Sequence, residues 1–122
     1  MADRSQALNS FWNGFSLAAY DENYVPEGTA FPYLTYEAGF DDFDLPVSLS
    51  ASIWYRDYSW RNANEKMEQI SGVLSGGGVI LPYDGGGIWL TKGTPFAQRM
   101  GDESDELIKR YVLNVSAEFI QK

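Results

Sequence analysis

Cysteine and histidine are both absent from the 122 residues of this chain. Without cysteine there can be no disulfide, no thiolate metal site and no thiol nucleophile. Without histidine the chain lacks the usual general base near neutral pH and the commonest metal ligand. We therefore expect no catalytic site, no metal and no cofactor, since an enzyme would have to depend on carboxylates, tyrosine or lysine.

Basic residues are also scarce, with 9 Lys and Arg against 17 Asp and Glu and a net charge of −8. Such a balance disfavours binding to the phosphates of nucleic acid or to anionic lipid. No apolar run reaches the length of about 18 residues that predicts a membrane-spanning helix, and the first residues are polar. We expect a protein with no membrane attachment that stays in the cytoplasm until it joins an assembly.

Core-forming residues are plentiful, because 44% of the chain is hydrophobic and 16% is aromatic. This composition is too apolar for a disordered chain. A chain of this length fits one folded unit, so we predict a single domain over residues 1–122.

The first predicted helix covers residues 5–19. Leu8, Phe11, Trp12 and Phe15 recur at the spacing of one helical face, and two alanines extend the same stripe. Gly14 lies inside this segment and costs about 1 kcal/mol relative to alanine, so the helix needs support from tertiary packing.

The second predicted helix begins after Ser59 or Asn62 and ends before the glycines at 76–78. Its apolar residues form one stripe that should face the core. Asn62, with Glu65 three residues later, resembles a capping box at the start of the helix.

Six segments have the alternating or β-branched and aromatic character of strands. They are residues 31–37, 45–56, 79–83, 87–91, 95–100 and 107–120. Short turns between consecutive strands favour antiparallel pairing with the helices on one face. The predicted fold is α+β, with a mainly antiparallel, mixed sheet of about 4–6 strands and two helices packed against it.

Glycine and carboxylate clusters suggest ligand sites, but none has the pattern of a known one. The triplets 76–78 and 85–87 lack the Lys and Ser/Thr of a phosphate-binding loop, so they are interpreted as turns. Asp41, Asp42 and Asp44 lack the ligand spacing of a calcium loop. The acidic run 102–106 is typical of a solvated loop, and we predict no metal site.

Aromatic residues are more numerous than a core of this size easily hides, and aromatic anchors are enriched at protein interfaces. We therefore predict that at least two of a set of seven contact a partner, the alternative being a thick aromatic core around one sheet. The seven are Trp54, Tyr55, Tyr58, Trp60, Tyr83, Trp89 and Phe96.

The layout resembles the small neck and tail-terminator proteins of long-tailed phages and prophages. The resemblance covers most of residues 11–120. The motifs that carry it are FPYLTY at 31–36, ASIWY at 51–55 followed by Ser59-Trp60, GIWL at 87–90, GTPFAQRM at 93–100 and IKRYVLNV at 108–115.

This resemblance implies a virion structural protein with an α/β sandwich fold and no catalytic residues. It would form a ring, a homohexamer, on the last ring of the tail tube, stop tube polymerisation and present a docking face to the head connector or stopper protein. DNA would pass through the lumen without specific binding. By position, the candidate contact residues are Asp41, Asp42, Asp44, Gly77, Tyr83, Asp84, Gly85, Trp89, Phe96, Gln98, Arg99 and Met100.

Two alternatives remain open at this point. One is a related role in the particle, as a head-completion stopper or a minor capsid or neck protein. The other belongs to a different class, a small carbohydrate- or ligand-binding module that uses Trp54, Trp60 or Trp89 as a stacking platform.

Overall fold

The computed structural model describes residues 3–38 and 46–121, and in this part of the chain two α-helices accompany one six-stranded sheet. A single 3₁₀ turn, Asn13–Phe15, follows the first helix. The elements in chain order are α1 (Arg4–Trp12), β1 (Ala18–Asp21), β2 (Tyr33–Tyr36), β3 (Val47–Arg56), α2 (Arg61–Leu74), β4 (Val79–Tyr83), β5 (Gly86–Gly101) and β6 (Ile108–Gln121).

The strands lie in the order β1-β2-β3-β6-β5-β4. Only β1 and β2 are parallel, and every other neighbouring pair is antiparallel. The prediction of an α+β fold with a mainly antiparallel, mixed sheet and two helices is therefore confirmed.

One face of the sheet carries the core, because alternate residues of each strand point to the same side. In β6, the residues from Tyr111 to Phe119 at every second position are buried, and in β3 those from Leu49 to Tyr55 are. Both helices pack against this face, α2 through Ala63, Ile70 and Leu74 and α1 through Ala7, Leu8 and Trp12.

The first helix is shorter than predicted and ends at Trp12 instead of continuing to residue 19. The Asn13 side chain donates to the carbonyl of Asn9 and accepts from the N–H of Ala19, which folds the chain back on itself. Ser16 then has a φ of 63°, a left-handed conformation through which a helix cannot continue. Phe15 stays buried, but Ala18 and Ala19 belong to β1.

The capping box predicted at α2 is also wrong. Asn62 donates instead to Asp57 at 2.7 Å, and Glu65 accepts from Arg61 at 3.3 Å. The residue before α2, Trp60, makes no side-chain cap. A capping box forms at α1 instead, where Asp3 and Gln6 bond each other's backbone N–H.

The predicted strands 87–91 and 95–100 are one continuous strand, β5. The register of β5 against β6 shifts between Lys92 and Ala97, a stretch that contains Gly93 and Pro95. Gly93 and Pro95, which break the alternating pattern, both lie within this irregular stretch. The strand therefore bends there without ending.

The far end of β3 is joined to the loop between β5 and β6 by an ion pair. Arg56 Nε lies 2.8 Å from Asp105 Oδ2, while Asp105 Oδ1 accepts from the N–H of Leu107. The hydrogen bond from Arg56 is the main cause, and the one from Leu107 the second, of a lowered pKa for the Asp105 carboxyl.

We predict that Asp105→Asn removes part of the acid sensitivity of folding. A carboxyl whose pKa is lower in the folded state stabilises the fold above its unfolded pKa of about 3.9, and this contribution is lost as pH falls through the folded value. Chemical denaturation between neutral pH and about pH 2 measures the free energy of unfolding. We expect this free energy to fall less steeply with decreasing pH in the variant than in the wild type. Glu103→Gln, in the same loop, is the control, and an equal change in both variants would contradict the role of the Arg56 pair.

Candidate interaction surface

The second face of the sheet is not covered by either helix. Its residues are those that alternate with the core residues, and we call it the open face. In β3 it carries Ser48, Ser50, Ser52 and Trp54, and in β6 it carries Arg110, Val112, Asn114, Ser116, Glu118 and Ile120.

Three side chains from neighbouring strands stack at one end of the open face, and we call them the Tyr33–Trp54–Arg110 ladder. The register places Tyr33 opposite Trp54 and Trp54 opposite Arg110. The two rings are 5.9 Å apart and nearly parallel, at 12°. The guanidinium carbon of Arg110 lies 4.4 Å from the centre of the Trp54 ring, within the range of a cation–π interaction.

Hydrogen bonds fix this ladder to the sheet beneath it. Trp54 Nε1 donates to Thr35 Oγ1 at 2.9 Å, and Arg110 Nε donates to Ser52 Oγ at 3.0 Å. Thr35 and Ser52 are buried although they lie on the open face. The ladder therefore forms a second, thin layer of packing in which Trp54 Nε1 and Arg110 Nε are hydrogen-bonded.

Arg110 is also the cation that faces an acidic corner of the sheet. Burial, followed by the charges of Glu37 and Asp21, raises the pKa of Glu22, while Arg110 opposes that shift. Burial likewise raises the pKa of Tyr33 against the opposing charge of Arg110, so its phenol stays protonated at neutral pH. This end of the face therefore presents a neutral phenol and a cationic guanidinium.

The other end of the open face carries three exposed apolar side chains beside Glu118. Ile80, Trp89 and Ile120 are 62%, 37% and 44% exposed, and we call them the apolar patch. They come from β4, β5 and β6, which are adjacent in the sheet. Trp89 Nε1 donates to the carbonyl of Gly77 at 2.7 Å, so two of the predicted contact residues meet here and the indole is held in place.

Tyr83, another predicted contact residue, lies in the core and is corrected here. It is on the helix-facing side of β4, where its ring is 6% exposed and lies 5.1 Å from the guanidinium of Arg4. Asp84 and Gly85 form the exposed turn beside it. A side chain at Gly85 would lie 2.8 Å from the Tyr83 ring, which accounts for glycine at that position.

The remaining predicted residues of β5 divide between the two faces. Gln98 and Met100 pair with Val112 and Arg110, so they lie exposed on the open face. Phe96 is half-buried, with the Lys92 ammonium 5.5 Å from its ring.

Arg99 lies on the helix-facing side and holds α2 to the sheet. Its Nε donates to the Tyr111 hydroxyl at 2.9 Å, its terminal nitrogen donates to Asn64 at 3.1 Å, and its guanidinium covers the Trp60 ring at 4.7 Å. These contacts hold the Arg99 side chain beside α2 while the residue stays exposed, and its role in contacting a partner remains a prediction. Asp41, Asp42 and Asp44 lie outside the described residues.

Sequence reasoning missed Tyr33, Arg110, Ile80 and Ile120. Strand alternation places each of them on the face away from the core. What it does not supply is the pairing of β2, β3 and β6, which brings residues distant in the chain into one ladder.

Among the described residues, no group of three or more carboxylates, histidines or cysteines is arranged to hold a metal ion. Neither helix in that part of the chain is long and apolar enough to span a membrane. No protein-family model, curated protein or solved structure matches this chain.

We predict that Arg110→Lys disrupts the Tyr33–Trp54–Arg110 ladder. An ammonium lacks the planar guanidinium that covers Trp54 and bonds Ser52, so the free energy of unfolding should fall by about 1 kcal/mol. The indole N–H resonance of Trp54 should move in a two-dimensional NMR spectrum while that of Trp89 stays in place. The control is Arg61→Lys on the exposed side of α2, and an unmoved Trp54 resonance in Arg110→Lys would refute the ladder.

Proposed function

We propose that this protein is a structural subunit of a phage particle, a tail terminator that forms a ring at the end of the tail tube. The observation that carries the proposal is the open face of the sheet. It combines a stacked aromatic and arginine ladder with an exposed apolar patch, and neither helix covers it.

The chemistry of this face favours a protein partner. Aromatic residues, methionine and arginine are enriched where proteins meet, and the open face presents Trp54, Trp89, Met100 and Arg110. Nucleic acid requires a basic surface, whereas this chain has a net charge of −8. A DNA duplex could therefore pass the ring without binding to it.

The choice of a tail terminator comes from the sequence motifs, and their places in the fold are compatible with it. Residues 31–36 lie at β2, 51–55 in β3, 87–90 and 93–100 in β5, and 108–115 in β6. Most of these residues therefore belong to the sheet that forms the proposed contact surface, while residues 31–32 and the Ser59-Trp60 motif lie outside its strands. The partners proposed on this basis are further copies of the chain, the tail tube protein and the head connector.

A carbohydrate-binding module is the alternative from another class, and the geometry favours it less. A sugar needs an uncovered aromatic face, but Arg110 covers Trp54 and Arg99 covers Trp60. Trp89 is the more open of the three candidate tryptophans, and its neighbours Ile80 and Ile120 are aliphatic.

The decisive experiment is a nonsense mutation in the gene within its phage or prophage, with the particles imaged by electron microscopy. We expect DNA-filled heads beside detached tails of uncontrolled length. Leaky heads beside tails of normal length would indicate a head-completion stopper. Intact, infectious particles would overturn the structural role.

Complementation with variant genes then tests the open face. Met100→Glu places a charge on that face, whereas Val73→Glu places the same charge on α2 at a residue of similar exposure, 43% against 46%. We expect Val73→Glu to restore infectious particles and Met100→Glu to restore fewer, although both proteins fold. Equal rescue by the two variants would show that the open face makes no contact in the particle.

A further inference from the structure

The two edge strands of the sheet, β1 and β4, differ in the hydrogen bonding of their outward backbone groups. At β1, the outward N–H of Ala19 bonds the side chain of Asn13 at 3.0 Å. The carbonyl of Asp21, at the end of the same strand, accepts from the N–H of Tyr24 at 2.9 Å. Two of the outward backbone groups of β1 are thus already bonded within the chain, which limits pairing of this edge with another strand.

At the opposite edge α1 packs against β4, but within residues 3–38 and 46–121 no hydrogen bond is made to the outward backbone groups of this strand. Its orientation follows from the two-residue turn at Asp84 and Gly85, which makes Tyr83 and Gly86 a hydrogen-bonded pair. Pair types alternate along an antiparallel ladder, so Pro82 and Ile80 point their backbone groups away from β5. Pro82 therefore costs the β4–β5 ladder no hydrogen bond, and Ile80 presents both an N–H and a carbonyl at the edge.

The edge strand itself carries no charged side chain, and Glu118 lies opposite Trp89 on the same face of the sheet. Ile80 is 62% exposed and adjoins the rest of the apolar patch. Between Gln69 and Lys92 the sequence contains a single charged residue, Asp84. On a chain with a net charge of −8, this is a surface where two copies can approach without strong repulsion.

We propose that β4 pairs in antiparallel fashion with β4 of a second copy of this chain, across a two-fold axis. A ring built by strand pairing would need two different open edges on each chain, whereas here two outward groups of β1 are already bonded within the chain and those of β4 are not. A single open edge finds its complement in its own equivalent, which produces an isologous dimer. A register centred on Ile80 joins the two Ile80 backbones by two hydrogen bonds and brings the two apolar patches together.

This dimer goes beyond the proposed function and does not depend on it. It is a property of the free protein, and a ring in the particle would use other surfaces, such as the open face. A failed phage experiment would leave the dimer standing, and a monomeric protein in solution would leave the tail-terminator proposal standing.

Analytical ultracentrifugation over a concentration series, using the full chain, is the first test. We expect the wild-type mass to double as concentration rises. Ile80→Pro removes the outward N–H, and Ile80→Lys adds a charge at the axis, so both variants should stay monomeric. Val73→Lys, which adds the same charge on α2, should dimerise like the wild type.

Hydrogen exchange identifies the contact. The amide of Ile80 should exchange more slowly as the protein concentration increases, because it is bonded only in the dimer. Circular dichroism verifies that each variant is folded. Any of three results would overturn the proposal. They are a wild-type protein that stays monomeric at every concentration, an Ile80→Lys variant that dimerises like the wild type, and an Ile80 amide whose exchange rate does not change with concentration.

Discussion

The rest of the structure depends on the pairing of β3 with β6 at the centre of the sheet. All ten residues of β3 have partners in β6, and the two strands lie far apart in the chain. Their alternating pattern places one buried row on each strand, from Leu49 to Tyr55 and from Tyr111 to Phe119. The second helix, α2, packs on both of these strands, while α1 packs on β1 and β4 of the same sheet. Neither helix is long enough to be stable without such packing.

The same alternation produces the surface proposed for function. A residue next to a buried one in the strand points to the opposite side of the sheet. The residues that fill the core on one face therefore determine which residues lie on the open face. The ladder at one end and the apolar patch at the other are therefore consequences of the central register. They differ in character, because Trp54 and Arg110 of the ladder are hydrogen-bonded within the chain while Ile80 remains 62% exposed. This difference is why the two-fold dimer of the free protein is assigned to the edge at β4 and the contacts in the particle to the open face.

Sequence patterns predicted the elements whose signal is local. The alternation in residues 45–56 and 107–120 and the apolar stripe of α2 correspond closely to β3, β6 and α2. The end of α1 could not be read in this way, because the apolar spacing continues past Trp12 and the left-handed Ser16 has no strong sequence signature. The continuity of β5 depends on its bond to β6, and the burial of Tyr83 depends on which side of β4 faces α1. Such features depend on contacts between segments that are distant in the chain. The periodicity of the sequence gives no information about these contacts.

The most direct test of the central claim is native-state hydrogen exchange measured residue by residue. If the β3–β6 pair holds the fold together, amides in the middle of both strands open only with global unfolding and exchange slowest, while those of β1 and the 3₁₀ turn exchange faster through local opening. The account predicts one common free energy of opening for Leu49–Ile53 and Leu113–Ala117. Protection that is greatest in β1 or α1, or different between β3 and β6, would contradict it.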